Sequence, residues 1–247
     1  MKYKDFSPDL ISEISSALKL QKAEGKKLVA AFDADGTLWD TDIGEAFFDY
    51  LIKTKKVRLP QNPWNFYLDL KNKKAVEAYY WLCEILEGLP LSLVKTWAKE
   101  AIDLQHPIPI FPQQQKLIEF FQSNQVEIYV VTASVKWSVE PAAALLGITP
   151  SHVLGIATTI TAEGLVTKNR MLPPTYREGK PQVLIQHTNG VLPFFCCGNS
   201  MGDKDLLEIA RLKLAVSSSA NQPGLKDSES ELQDYALKNR WLRHSFV

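Results

Sequence analysis

Residues 32–40 read Phe-Asp-Ala-Asp-Gly-Thr-Leu-Trp-Asp and set two carboxylates, Asp33 and Asp35, two positions apart behind a short apolar run. Acids so placed can act as a metal ligand, a nucleophile or a general acid/base. Gly36 lets the backbone approach an anion closely enough to offer it N–H groups. An Asp-x-Asp-Gly string also occurs in calcium loops, but counting from Asp33 puts Leu38 where that loop turns on glycine and Gly44 where it needs a bidentate glutamate. The calcium reading therefore fails on its spacing. Three other segments offer related chemistry. Thr132, followed by Ala133, ends the run Val-Val-Thr-Ala-Ser, where a hydroxyl can donate to a phosphate oxygen. Lys180 follows Gly179 near a helix start, an unfavourable place for a cation unless anions or carboxylates lie nearby. Gly198, Asn199, Gly202, Asp203 and Asp205 crowd the end of the apolar run 192–197. Singly, these are also what solvated turn acids, a structural threonine, a solvated lysine and an ordinary helix cap look like; together they supply what phosphoryl chemistry needs.

Such groups have to be held at strand ends. The runs Lys-Leu-Val-Ala-Ala-Phe to residue 32, 126–131, 192–197 and 212–216 are short and apolar, as strands buried on both faces are. Helical spacing separates them over 114–122, 139–147 and 206–212, and Ser7-Pro8 followed by Leu10, Ile11, Ile14 and Leu18 predicts an opening helix. Strands alternating with helices predict an α/β fold with a Rossmann-like, doubly wound parallel sheet. Residues 41–110 carry helical periodicity punctuated by Pro60, Pro63, Gly88 and Pro90, and are read as a helical cap inserted in a core domain of 1–40 and 111–247. Residues 160–168 alternate about a glycine as a hairpin does, and 217–224 read as a loop.

Composition narrows the function classes. The chain has 247 residues, 45% of them hydrophobic, which suffices for a substantial core. Twenty-eight Lys and Arg balance twenty-eight Asp and Glu, so neither a nucleic-acid backbone nor an anionic membrane is an expected partner. The first ten residues lack the apolar core of a secretory signal, and no stretch nears the ~20 apolar residues of a membrane helix, which points to the cytoplasm. Three cysteines, with Cys196 and Cys197 in an apolar run, suit neither a disulfide framework nor a zinc site. His106, His152, His187 and His244 are scattered and receive no role.

With these residues in order, the chain resembles the haloacid dehalogenase superfamily of phosphohydrolases over nearly its whole length. Asp-Ala-Asp-Gly-Thr-Leu-Trp-Asp is similar to the superfamily's first motif, Val-Val-Thr to the second, Lys180 to the third and Gly-Asn-Ser-Met-Gly-Asp to the fourth. Thr37 and Thr132 lie 95 positions apart and only 48 separate Thr132 from Lys180, so the long insertion falls between the first two motifs. That arrangement is similar to the phosphoserine phosphatase and phosphorylcholine phosphatase branch. The resemblance implies Asp33 as the nucleophile that takes the phosphoryl group and Asp35 as general acid and then base. It implies Thr132 and Lys180 on the phosphoryl oxygens, with Gly36 and Ala133 beside them. It further implies Mg2+ held by Asp33, the carbonyl of Asp35, Asn199 and Asp203. The fourth motif commonly begins Gly-Asp, and here begins Gly198-Asn199: an amide oxygen suits Mg2+ but brings no charge. Dehalogenating members generally lack the second aspartate, so Asp35 favours phosphoryl transfer.

The expected substrate is a small phosphomonoester of the phospho-amino alcohol or phospho-amino acid type. Asp42 stands nine residues after Asp33, where phosphoserine phosphatases carry a glutamate facing the substrate, so Asp42 and Glu45 are candidates to meet an amine; exposed first-turn helix acids are an equal alternative. Arg58 is the single arginine of 41–110, so no clamp for a substrate carboxylate is evident there. Trp64, Trp81, Trp97 and seven other rings in that interval are expected mainly to pack its core. A phosphotransferase using an alcohol acceptor and a catalytically silent phosphoester-binding protein are the alternative functions.

Overall fold

The structure is a computed structural model that describes residues 3–218 and 223–247. Within the predicted 217–224 loop, 219–222 lie outside the described residues. In chain order the elements open with α1 (Pro8–Ala23), β1 (Val29–Phe32), α2 (Ile43–Thr54), α3 (Pro63–Lys73), α4 (Ala75–Glu84), α5 (Leu91–Leu104) and α6 (Pro112–Ser123). They continue with β2 (Glu127–Val135), α7 (Lys136–Ala144), β3 (Val153–Ile156), β4 (Thr158–Ile160), β5 (Val166–Arg170) and α8 (Gly179–His187). Last come β6 (Phe195–Gly198), α9 (Lys204–Glu208), β7 (Leu212–Ser217), α10 (Pro223–Lys238) and β8 (Leu242–Ser245). Contacts divide the chain into two units, one of Met1–Thr41, Pro109–Val131 and Tyr176–Val247, the other of Asp42–Ile108 and Thr132–Thr175.

The first unit is built on β1. All four of its residues are buried, and it has a parallel partner on each side, Phe32 lying opposite Val130 of β2 and Cys197 of β6. A strand covered on both edges and both faces has no use for alternation, which is why this run is continuously apolar. The sheet order is β3-β2-β1-β6-β7-β8. Successive strands thus depart from β1 in opposite directions, and the carboxyl ends of β1 and β6 flank the point at which a doubly wound sheet leaves a crevice for ligands. Ser7 caps α1 by accepting the N–H of Leu10 at 3.2 Å, with Pro8 at the first helical position. At the sheet edge β8 pairs parallel with β7; its sequence, Leu-Arg-His-Ser, is alternately half-buried and exposed, so it carries no apolar run by which to be seen.

In the second unit, Phe47, Phe48, Tyr67, Tyr80, Trp97, Val135, Trp137, Ile156 and Val166 form one apolar cluster, against which Trp64, Trp81 and Tyr79 pack. The rings of the helical segment are therefore largely core. The cluster also explains why this unit is larger than a cap of residues 41–110: α7, β3 and the β4–β5 hairpin bury their apolar faces with α2, α4 and α5. The hairpin is antiparallel, with Ile160 opposite Val166 and a register shift between Thr158 and Ile160. Arg170, at its end, makes a bidentate pair with Glu77 at 3.0 and 2.9 Å and reaches Glu84 at 2.8 Å. Among the described residues no helix is long and apolar enough to cross a membrane.

Candidate active site

The chain turns sharply after β1. Asp33 extends the ladder by one residue, its N–H donating to the carbonyl of Cys197 at 2.9 Å. Gly36 then takes φ +75°, where a side chain is strained. Its N–H donates to Trp39's carbonyl at 2.9 Å, and the N–H groups of Thr37 and Leu38 donate back to Ala34. The N–H that the sequence reading offers to an anion at Gly36 is thus used inside the turn; the glycine serves conformation and space. A Cβ at Gly36 would lie 2.1 Å from Nδ2 of Asn199. The turn also settles Asp35, whose Oδ1 accepts the indole N–H of the fully buried Trp39 at 2.8 Å.

Lys180 links this turn to the one after β6. Its ammonium donates to Oδ1 of Asp33 at 2.6 Å and to Oδ1 of Asp203 at 2.5 Å, and the three side chains are 3%, 10% and 2% exposed. Three charges removed from water to this extent are tolerable only when paired and further hydrogen-bonded. Asp203 meets that condition, since its Oδ2 accepts the N–H groups of Asn199 and Ser200 and the Ser200 hydroxyl, at 3.2, 2.9 and 3.0 Å. Asp203 is so fully engaged that it anchors Lys180 and the 198–200 turn. Thr37 completes the arrangement: its hydroxyl lies 3.1 Å from Oδ2 of Asp33 and 3.2 Å from Oδ1 of Asn199.

Burial pushes Asp33's carboxyl above the usual range; the charge of Asp203 adds to this, Lys180 opposes it and Asp35 contributes further. For Lys180, burial acts to lower the pKa but is outweighed by Asp203 and Asp33, so the ammonium is held protonated more firmly than an ordinary lysine. Sequence reasoning gave Thr37 no role in the site and missed Glu229 on α10. Its carboxylate accepts the Asn199 amide at 2.7 Å and the hydroxyl of Ser218 at 2.7 Å, and burial raises its pKa against those hydrogen bonds. It lies 30 residues after Asn199, in a polar helical stretch that carries no local signal.

These contacts place two carboxylates, Asp33 and Asp203, on the ammonium of Lys180 and a third, Glu229, on the amide of Asn199, an excess of negative charge that suits a cation. Among the described residues no three His, Cys, Asp or Glu side chains converge as a metal cage. A cation at this turn would therefore draw on neutral oxygens as well, the amide of Asn199 and a backbone carbonyl, which suits a hard ion such as Mg2+.

The remaining candidates belong to the second unit. Thr132 continues β2 two residues past Val130 and is buried, its Oγ1 accepting the N–H of Ser134 at 3.0 Å; Ala133 follows it in the strand. Asp42 caps α2, accepting the N–H of Glu45 at 2.7 Å. Glu45 pairs with Lys71 at 2.8 Å. Both acids thus have helix-stabilising or ion-pair partners of their own.

A family model described as haloacid dehalogenase-like hydrolase matches residues 30–208. A histidinol-phosphatase from Neisseria meningitidis serogroup C (strain 8013) is 27% identical over 165 residues, 62% of this chain and 71% of that protein. A Bordetella pertussis protein of unknown function has a similar structure, with a TM-score of 0.74 at 21% identity, over 90% of this chain and 99% of that one. A phosphoserine phosphatase solved as a substrate-bound complex gives 0.53 at 16% identity, over 87% of this chain and 98% of that one. The match over 30–208 spans well over half of the sequence and both turns joined by Lys180, so the chain belongs to the haloacid dehalogenase-like hydrolases.

Proposed function

We propose that this hydrolase is a Mg2+-dependent phosphatase that cleaves a small phosphomonoester through a phosphoryl group carried on Asp33. The observation that carries the reading is the buried ammonium of Lys180 between Asp33 and Asp203 at the end of β1. A carboxylate attacking a phosphate dianion meets like-charge repulsion, so the nucleophile has to be held in line beside positive charge. In the proposed reaction Oδ of Asp33 forms the new bond to phosphorus as the ester oxygen leaves. Asp35, oriented by Trp39, gives that oxygen its proton. Asp35 then removes a proton from the water that attacks the phosphorus, and Asp33 is released as a carboxylate. Thr37 orients Asp33, and Thr132 is assigned to the phosphoryl oxygens from the motif order alone. Asp33, the carbonyl of Asp35 and the amide oxygen of Asn199 would hold Mg2+, with Asp203 behind them as the anchor of Lys180. Bound there, the ion would supply charge neutralisation to the phosphoryl oxygens.

The leaving group is proposed to be an amino alcohol or amino acid. Histidinol phosphate, named by the relative's activity, is a phosphorylated amino alcohol and heads the test panel, with phosphoserine and phosphocholine beside it. Inorganic phosphate should be released from at least one ester, the release should stop with EDTA, and Asp33→Asn should abolish it. Release by Asp33→Asn at the wild-type rate would remove the nucleophile from the scheme. Added acceptor alcohols that yield a new phosphoester in place of phosphate would move the chain to the transferases.

A further inference from the structure

We infer that Glu229 is a positioning residue that sets which end of the Asn199 amide faces Asp33, and thereby whether position 199 presents an oxygen or an N–H to a cation. This rests on the Mg2+ reading above. An amide has two ends of nearly equal shape and opposite polarity: its oxygen can ligate a cation, and its NH2 group can only donate. An aspartate in the same place has two equivalent oxygens and needs no orientation. With asparagine at 199, something has to choose the end.

Glu229 is placed to choose. An ionised carboxylate only accepts hydrogen bonds, so the amide end 2.7 Å from its Oε1 is Nδ2. Oδ1 then points the other way, 3.2 Å from the Thr37 hydroxyl, which also lies on Oδ2 of Asp33. Asn199 is 1% exposed and Glu229 3% exposed, so water does not compete for the choice. Glu229 is itself fixed: the Ser218 hydroxyl donates to Oε1 at 2.7 Å and the Ser218 N–H lies 3.2 Å from Oε2. The preceding residue on α10, Ser228, accepts the N–H of Met201 at 3.0 Å, which docks the helix on the same turn. Space is reserved for the pair as well, since a Cβ at Gly36 would lie 2.1 Å from Nδ2 and 3.4 Å from Oε1 of Glu229. The arrangement accounts for the neutral residue too. An aspartate at 199 would set two buried carboxylates against each other, so the charge missing at 199 is found one hydrogen bond away at 229.

The test is Mn2+ binding to the full-length protein, read from the free-ion electron paramagnetic resonance signal, in a cycle of wild type, E229A, N199D and N199D/E229A, with folding checked by circular dichroism. Loss of an outer partner of a metal ligand typically costs roughly 10- to 100-fold in metal affinity, and that loss is expected for E229A in the Asn199 background. In the N199D background, where there is no wrong end to present, E229A is expected to stay within about twofold or to gain affinity. A role confined to docking α10 would cost the same factor in both backgrounds. That result, or an E229A affinity equal to wild type, overturns the inference while leaving the metal reading intact. Absence of Mn2+ binding by wild type overturns both. Should E229A not fold, E229L, which fills much of the same volume and cannot accept a hydrogen bond, enters the same cycle in its place.

Discussion

Lys180→Met tests the buried charge arrangement most directly. The ammonium contacts Asp33 and Asp203 at 2.6 and 2.5 Å, and none of the three side chains is more than 10% exposed. At these separations each attraction is ~6 kcal/mol at an effective dielectric of about 20, most of which offsets the cost of taking three charges out of water. Methionine fills the space of the lysine stem but strands two carboxylates that face each other without a counter-charge. Breaking a buried pair in this way costs about 3–5 kcal/mol. For a chain of this size each kcal/mol lowers the melting temperature by roughly 2–4 °C, so K180M should melt about 6–20 °C below wild type in EDTA. The assay is thermal unfolding followed by near- and far-ultraviolet circular dichroism. Removing one stranded charge as well, in K180M/D203N, should recover part of the loss. A K180M deficit below about 1 kcal/mol, the range of a solvent-exposed pair, would show that the ammonium does not bridge the two turns in the folded protein.

Asp35→Asn should lower turnover by ~10²- to 10⁴-fold, the worth of positioned acid–base catalysis, while leaving unfolding unchanged; steady-state phosphate release on the best ester measures this, and a loss under threefold would assign the proton to another group. Gly36→Ala should destabilise and inactivate together, because the new methyl meets Asn199 at 2.1 Å from a backbone at φ +75°; a variant with wild-type melting and Mn2+ affinity would contradict the close approach. Arg170→Met should lower stability at pH 7 by about 1 kcal/mol or less for each partly exposed ion pair lost. Arg170's hydrogen bonds hold the carboxyl of Glu77 below the ordinary range. Their contribution is therefore fully present above the unfolded glutamate value near ~4.3 and is lost as pH falls through the lowered folded value. The gap between R170M and wild type in chemical denaturation should accordingly narrow between pH 6 and pH 3; a gap that widens towards acid would reverse the sign of the linkage.

The amino-acid order by itself determined which local structures the chain adopts where local chemistry suffices. Val29–Phe32, buried on both faces, declares itself by an unbroken apolar run, and Ser7-Pro8 declares a helix start. Asp33, Lys180, Asn199 and Asp203 stand out because each sits where a strand ends or a helix begins, with polarity that such a place does not need for itself. What only the tertiary structure decided depends on groups distant in sequence. Nothing near residue 229 distinguishes Glu229 from the exposed acids around it until α10 lays it against Asn199 and Ser218. Nothing near Trp39 shows that its indole N–H serves Asp35 until the turn brings the two together. β8 was illegible because an edge strand half in solvent needs no apolar run, and its pairing with β7 is a backbone matter. Likewise, α7 and the β4–β5 hairpin join the helical unit because shared burial of Trp137, Ile156 and Val166 overrides their order along the chain. Sequence reports what a residue prefers nearby; a buried hydrogen bond or a common apolar cluster depends on which distant residue closes over it.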